Sequence, residues 1–317
     1  MEVYVRILVM GAGGIGGYYG ARLAQAGNDV TLVARGAHLE AMRARGLGIR
    51  ERGESVVTFQ PVQAVRYPAE AGAPVDFVLF AVKAYDTREA AEALLPVVGP
   101  DTSVLPIQNG VDSTETVAEV IGAAHVLAGT ANLSATITEP GIIERLSQTT
   151  QLTLGEAHAA RSPRVERIAA VFHAAGITDA LISDDAQRAL WEKFMFLAPC
   201  ATINSVTGLP TGDLRSVPDG HDTVLAMQRE IRAVGLAAGV NLPPETASKA
   251  EQVYLGLTDS HSTSMQRDFA AGKRVELEVL TGSMARRGKA LRVPTPIFTA
   301  LYAVLRVRAL KSGILPA

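Results

Sequence analysis

The chain has one cysteine, Cys200, so no intramolecular disulfide can form and stability must come from packing. No apolar run is long enough to cross a bilayer. Charge of one sign is not in excess: 30 Lys and Arg face 32 Asp and Glu, a net charge of −2. That balance argues against a nucleic-acid binder and against an acidic disordered tail. The 6 histidines are scattered without metal-ligand spacing, so no bound metal is expected. The start, MEVYVRILVMGAGG, does not read as a signal peptide, because its apolar run ILVM is short and flanked by Glu2 and Arg6. No repeat, low-complexity tract or lipidation motif is visible. These absences fit a reducing, cytoplasmic compartment.

What is present is a 317-residue chain, 48% hydrophobic, long enough for two domains of ordinary size. In the first part, strand and helix patterns alternate. VRILVMG, DVTLVAR, VDFVLFAVK and TSVLPIQNG read as buried strands; GGYYGARLAQAG, LEAMRARG and DTREAAEALLPVV read as helices. Apolar strands alternating with helices predict a mainly parallel, doubly wound sheet. GLGIRERGESVVTFQPVQAV has hairpin or meander character. HVLAGTANLSATI, GIIERLS and QLTLGE read as antiparallel strands, and SPRVERIAAVFHAAG as a helix. Strand signals then stop. Asp184 or Asp185 is a good N-cap for a long helix, and four further helical segments follow. The expected layout is an α/β, Rossmann-type domain over residues 1–182 and an all-α domain over residues 183–317.

VMGAGGIGGYYG places Gly11, Gly13 and Gly16 in G-x-G-x-x-G spacing between a strand and a helix, the context a dinucleotide needs. Gly11 permits the tight turn, Gly13 lets backbone approach a pyrophosphate, and Gly16 lets helix and strand pack closely. Unpaired N–H groups at the helix start attract the phosphates. The second strand ends in Arg35 rather than the acid that accepts a ribose hydroxyl, which favours a 2′-phosphate and hence NADP. Lys83 and Asn109 follow two further strands, at the carboxyl ends that face the ligand crevice of an open sheet. Their alternative readings are a solvated lysine and an ordinary Asn-Gly turn.

Lys193 stands at the head of the apolar run FMFLAPCATI. Its plain reading is a lysine whose stem lies on apolar surface while its tip reaches water. Trp191, Phe194, Phe196 and Leu197 read most simply as core, Cys200 as a small buried residue, and Pro199 as a kink.

The glycine loop, Arg35, VK and QNG after strands, LWEKF on a helix, and the later STSMQRDFAAGKRVELEVLTG occur in one order. Taken together they resemble the ketopantoate reductase family along essentially the whole chain. The resemblance implies two domains with a cleft between them and an NADPH-dependent reduction of a 2-keto acid to a 2-hydroxy acid. It implies Lys193 as general acid and Glu276 as its catalytic support near the cofactor. Lys83 would approach the cofactor, Asn109 both cofactor and substrate, and Ser264 the substrate. Related enzymes are often dimers, so a homodimer is expected. In family members, asparagines stand four and eight residues after this lysine; here the positions hold Leu197 and Ala201. Asn204, in INSVTG, is the remaining candidate amide for the substrate, and Thr211 stands where the family often has another. On an unbroken helix Asn204 returns to within roughly 20° of the Lys193 face, about 16 Å further along the axis. The expected substrate is 2-dehydropantoate. The alternatives are a less polar 2-oxo acid and a non-enzymatic NADPH sensor.

Overall fold

A computed structural model describes residues 5–157 and 160–315. They form two compact units. One holds residues up to Gln108 together with Ser113–Ala189; the other holds Asn109–Asp112 and the chain from Leu190. The division between 189 and 190 lies inside a helix, beyond the boundary at 182 expected from the loss of strand signals. The reason is that the chain stays on the first unit after its last strand. The Ser183 amide donates to the Leu154 carbonyl at 2.8 Å, and a Cβ on Gly155 would lie 3.0 Å from that of Ala186.

The first unit runs β1 (Arg6–Met10), α1 (Gly14–Gln25), β2 (Asp29–Val33), α2 (Gly36–Arg45), β3 (Leu47–Arg50), β4 (Val57–Gln60) and β5 (Gln63–Val65). Next come β6 (Val75–Phe80), α3 (Thr87–Leu94), β7 (Val98–Pro106), α4 (Ser113–Ile121), β8 (Leu127–Asn132), β9 (Ala135–Glu139) and β10 (Ile142–Arg145). It ends with β11 (Gln151–Glu156), α5 (Pro163–Ala174) and β12 (Ala180–Ile182). The main sheet is parallel, in the order β5-β2-β1-β6-β7. This is the Rossmann-like sheet expected from the strand–helix alternation.

Successive strand residues face opposite sides, so strands covered on both faces must be apolar throughout. Ile7, Val9, Phe77 and Leu79 enter one core, where Tyr19 and Leu23 of α1 and Phe172 of α5 meet them. Leu8, Met10, Val78 and Phe80 enter the other, with Ala91 and Leu94 of α3 and Val117 of α4. The hairpin reading holds for β3 and β4, and antiparallel pairing holds for β9 with β10 and β8 with β11. However, β10 also pairs parallel to β3, which makes a separate four-stranded sheet. The end of the meander, β5, leaves the hairpin and becomes the third strand of the parallel sheet.

The second unit is built from α6 (Ala186–Thr207), α7 (Thr211–Arg215), α8 (Pro218–Ala237), α9 (Glu245–Gly256), α10 (Ser264–Ala270), α11 (Ser283–Leu291) and α12 (Pro296–Lys311). Asp185 caps α6, its carboxylate accepting the Arg188 N–H at 2.9 Å. The helix runs through Pro199 to Thr207. It is apolar on most sides, as a central helix must be. Trp191, Phe194, Met195, Ala198 and Cys200 are all buried. Burial also pushes the Cys200 thiol up to about 12. Phe196 and Leu197 are only half-buried, and Leu197 packs at the margin of this core. A Cβ on Gly235 would come within 2.9 Å of the Trp191 ring, so α8 passes α6 where it carries no side chain. A π-helical turn, Glu278–Gly282, leads directly into α11.

One buried carboxylate locks this unit. Glu230 of α8 accepts the Ile297 N–H at 2.9 Å and the Phe298 N–H at 3.2 Å, satisfying two donors at the start of α12. Glu230→Ala would leave both without partners, at a cost of about 2 kcal/mol. Urea denaturation should show this loss, with a smaller one for Glu230→Gln, which keeps one acceptor.

Candidate active site

The glycine turn has the geometry its spacing implies. Gly11, at the end of β1, has φ +101, and a Cβ there would lie 2.8 Å from the Val82 nitrogen. A Cβ on Gly16 would overlap the Gly11 carbonyl oxygen and reach 2.8 Å from Ala81. Gly13 differs: nothing lies within 4 Å of its Cβ position. It is the N-cap of α1, a helix start with no side-chain cap and no acid in its first turn. A helix start without a competing side-chain cap or acid, with room beside Gly13, fits a pyrophosphate.

Arg35 is exposed at the N-cap of α2, directly after β2. Among the described residues it forms no ion pair. His38 braces the turn from the same side. It accepts the Gly141 N–H at Nδ1 (2.9 Å), so Nε2 carries the proton and donates to the Ala12 carbonyl at 3.0 Å. Burial lowers the pKa of this ring below its ordinary 6.5, which favours that neutral form. Lys83 is exposed after β6. The loop carrying it is held by Gln108, whose amide donates to the Val82 carbonyl and the Thr87 hydroxyl, both at 2.9 Å. Gln108 has no sequence signal beyond its place beside Asn109.

In the second unit three predicted residues meet. Lys193, on the second turn of α6, donates from Nζ to Asn109 Oδ1 at 3.3 Å. Asn109 Nδ2 in turn faces Glu276 Oε2 at 3.5 Å, the outer limit of a hydrogen bond. Glu276 is buried, 4% exposed, just ahead of the π turn. Burial lowers the Lys193 ammonium from 10.5 to about 8, while the charge of Glu276 pulls the other way. An ammonium with that pKa holds its proton at neutral pH and gives it up readily.

Two other candidates share no hydrogen bond with this group among the described residues. Ser264 begins α10, half-buried, and no hydrogen bond among the described residues joins it to Lys193, Asn109 or Glu276. Asn204 is fully buried. Its amide donates to the Leu209 carbonyl at 2.7 Å, and Thr211 Oγ1 lies 3.5 Å from its Oδ1 and 3.1 Å from His261. These contacts close the end of α6, a structural task that the INSVTG pattern did not reveal. Leu197 and Ala201 follow Lys193 by one and two helical turns, so the lysine face of α6 is apolar. Among the described residues, no group of three or more His, Cys, Asp or Glu could hold a metal ion, and no helix is long and apolar enough to cross a membrane.

Comparison with known proteins agrees along the chain. Residues 7–159 match the family model for ketopantoate reductase PanE/ApbA, and residues 185–309 match that of its C-terminal domain. A 2-dehydropantoate 2-reductase from Mesorhizobium japonicum is 30% identical, covering 98% of this chain and 99% of that protein. The crystal structure of a PanE/ApbA family ketopantoate reductase from Ralstonia eutropha JMP134 superposes with a TM-score of 0.87 at 31% identity, covering 97% of this chain and 99% of that one. D-mandelate dehydrogenase, solved with NADH and anilino(oxo)acetate, shares the fold with a TM-score of 0.88 at 20% identity, over 98% of this chain and 99% of that one. The chain belongs to the ketopantoate reductase family, nicotinamide-dependent oxidoreductases that act on the CH–OH/C=O pair.

Proposed function

We propose that this protein reduces a 2-keto acid to the 2-hydroxy acid with NADPH, and that Lys193 is the general acid. The observation that carries this reading is the Lys193–Asn109–Glu276 group, with an ammonium whose pKa is lowered by burial. NADPH, when bound, supplies the hydride. Negative charge then develops on the ketone oxygen. The Lys193 ammonium stabilises that charge and hands over its proton. Asn109 orients the ammonium through Oδ1, and Glu276 keeps it charged before the transfer. The Gly11–Gly13–Gly16 turn would take the pyrophosphate, Arg35 the 2′-phosphate, and Lys83 the cofactor's flank. Ser264 would receive the substrate carboxylate. We assign the enzyme to the cytoplasm and to a homodimer joined through its helical unit, where Val304 and Val307 of α12 are exposed.

2-Dehydropantoate, giving pantoate in pantothenate biosynthesis, is the leading substrate. A second reading, a less polar 2-oxo acid, is favoured by Leu197, half-exposed where the family places an amide. Turnover of 2-dehydropantoate should be compared with that of 2-oxo-3-methylbutanoate, which lacks the hydroxyl. Leu197→Asn should shift the ratio of their kcat/KM values about tenfold toward the hydroxylated acid. No shift would mean that Leu197 does not face the substrate.

A further inference from the structure

The segment Asn109–Asp112 belongs by its contacts to the helical unit, far in sequence from the rest of it. Three anchors hold it there. Val111 is buried in the helical core, 3% exposed. Gly110, at φ +97, lies so close to the π turn that a Cβ would sit 3.3 Å from that of Val279. Asp112 Oδ1 receives two donors of one guanidinium, Arg287 Nε at 2.8 Å and Nη2 at 2.7 Å. A single stretch of chain, Glu276 to Arg287, thus grips the segment at both ends: Glu276 faces Asn109 and Arg287 holds Asp112.

We infer that Arg287 is a positioning residue: by holding Asp112 it sets the loop that presents the Asn109 amide to Lys193 and Glu276. The ion pair is suited to this. Both side chains are mostly buried, 20% and 27% exposed, so water and salt screen the pair less than a surface one. The planar guanidinium holds direction as well as charge. The inference rests on Lys193 as the proton donor.

The test is steady-state kinetics of Arg287→Met and Asp112→Asn with NADPH and the faster of the two keto acids above. Misplacement of Asn109 removes the acceptor that favours the charged lysine. Each variant should therefore lose up to about 100-fold in kcat. The alkaline limb of its pH–rate profile should move below the wild-type position, and its KM for NADPH should stay within about twofold. Arg287→Lys, which keeps one charged donor, should recover part of kcat and of the limb. The double variant should be no worse than the poorer single one. A lowered melting temperature with kcat and limb unchanged would make the pair structural only and overturn the inference. If Arg287→Met does not fold, Asp112→Asn, isosteric and uncharged, decides by the same readouts. Lys193→Ala, run alongside, separates the two ideas: surviving turnover there sinks the proton-donor reading, whereas lost turnover with normal Arg287 and Asp112 variants sinks this one alone.

Discussion

Lys193→Ala should lower turnover by on the order of 10³-fold or more, while NADPH binding, followed by fluorescence titration, stays close to wild type. General-acid catalysis contributes roughly 10²–10⁴-fold, and a buried charge at the developing oxyanion adds to it. The glycine turn proposed to hold the cofactor belongs to the other unit. On the proposed mechanism, reduction needs the protonated amine. Thus kcat/KM should be level below a pH of about 8 and fall about tenfold per unit above it. Turnover within tenfold of wild type in Lys193→Ala would show that the proton comes from elsewhere. The same burial carries a stability cost. The native pKa lies below the 10.5 of the unfolded chain, so the unfolded state binds more protons between about 8 and 10.5. Stability from this group rises with pH through that window and is lost as pH falls back through it. Lys193→Met should abolish that slope and raise the melting temperature at neutral pH.

Arg35→Ala should raise the KM for NADPH roughly 10- to 100-fold and leave the KM for NADH nearly unchanged. The guanidinium is exposed at the start of α2, directly after β2, and has no ion-pair partner among the described residues. A charge-assisted bond to a phosphate is about twice as strong as a neutral one, and only NADPH carries that phosphate. Arg35→Asp should go further and invert the preference, since a carboxylate repels the 2′-phosphate and accepts a ribose hydroxyl. Kinetics with both cofactors decide it. Equal weakening of both would remove Arg35 from phosphate recognition.

Much of the first unit was legible because its signals are local. A strand covered on both faces must be apolar at each position, and RILVM and VDFVLF meet that demand almost throughout. The glycine turn was legible for a similar reason: Gly16 answers a clash with Gly11, five residues before it, and Gly11 one with Ala81 and Val82 at the end of the adjoining strand. The fate of β5 was not legible, because three residues, QAV, serve equally well in a hairpin or a parallel sheet. The parallel pairing of β10 with β3 joins residues far apart in the chain, and alternation of side chains says nothing of partner or direction. The partner of Asn204 was not legible either: an amide on the lysine face of a helix looks available, whereas the turn at Leu209 folds back and takes its hydrogen bond.

The sequence by itself determined the Rossmann-like sheet, the helical second part and the glycine turn between β1 and α1, because each follows from short-range sterics and periodicity. Only the tertiary structure decided the surroundings of Lys193. Asn109 stands 84 residues before it and 167 before Glu276, and Asp112 lies 175 residues from Arg287. Contacts over such separations arise from packing the helical core, and no local pattern encodes them. The packing around the lysine also takes it partly out of water and so lowers its pKa.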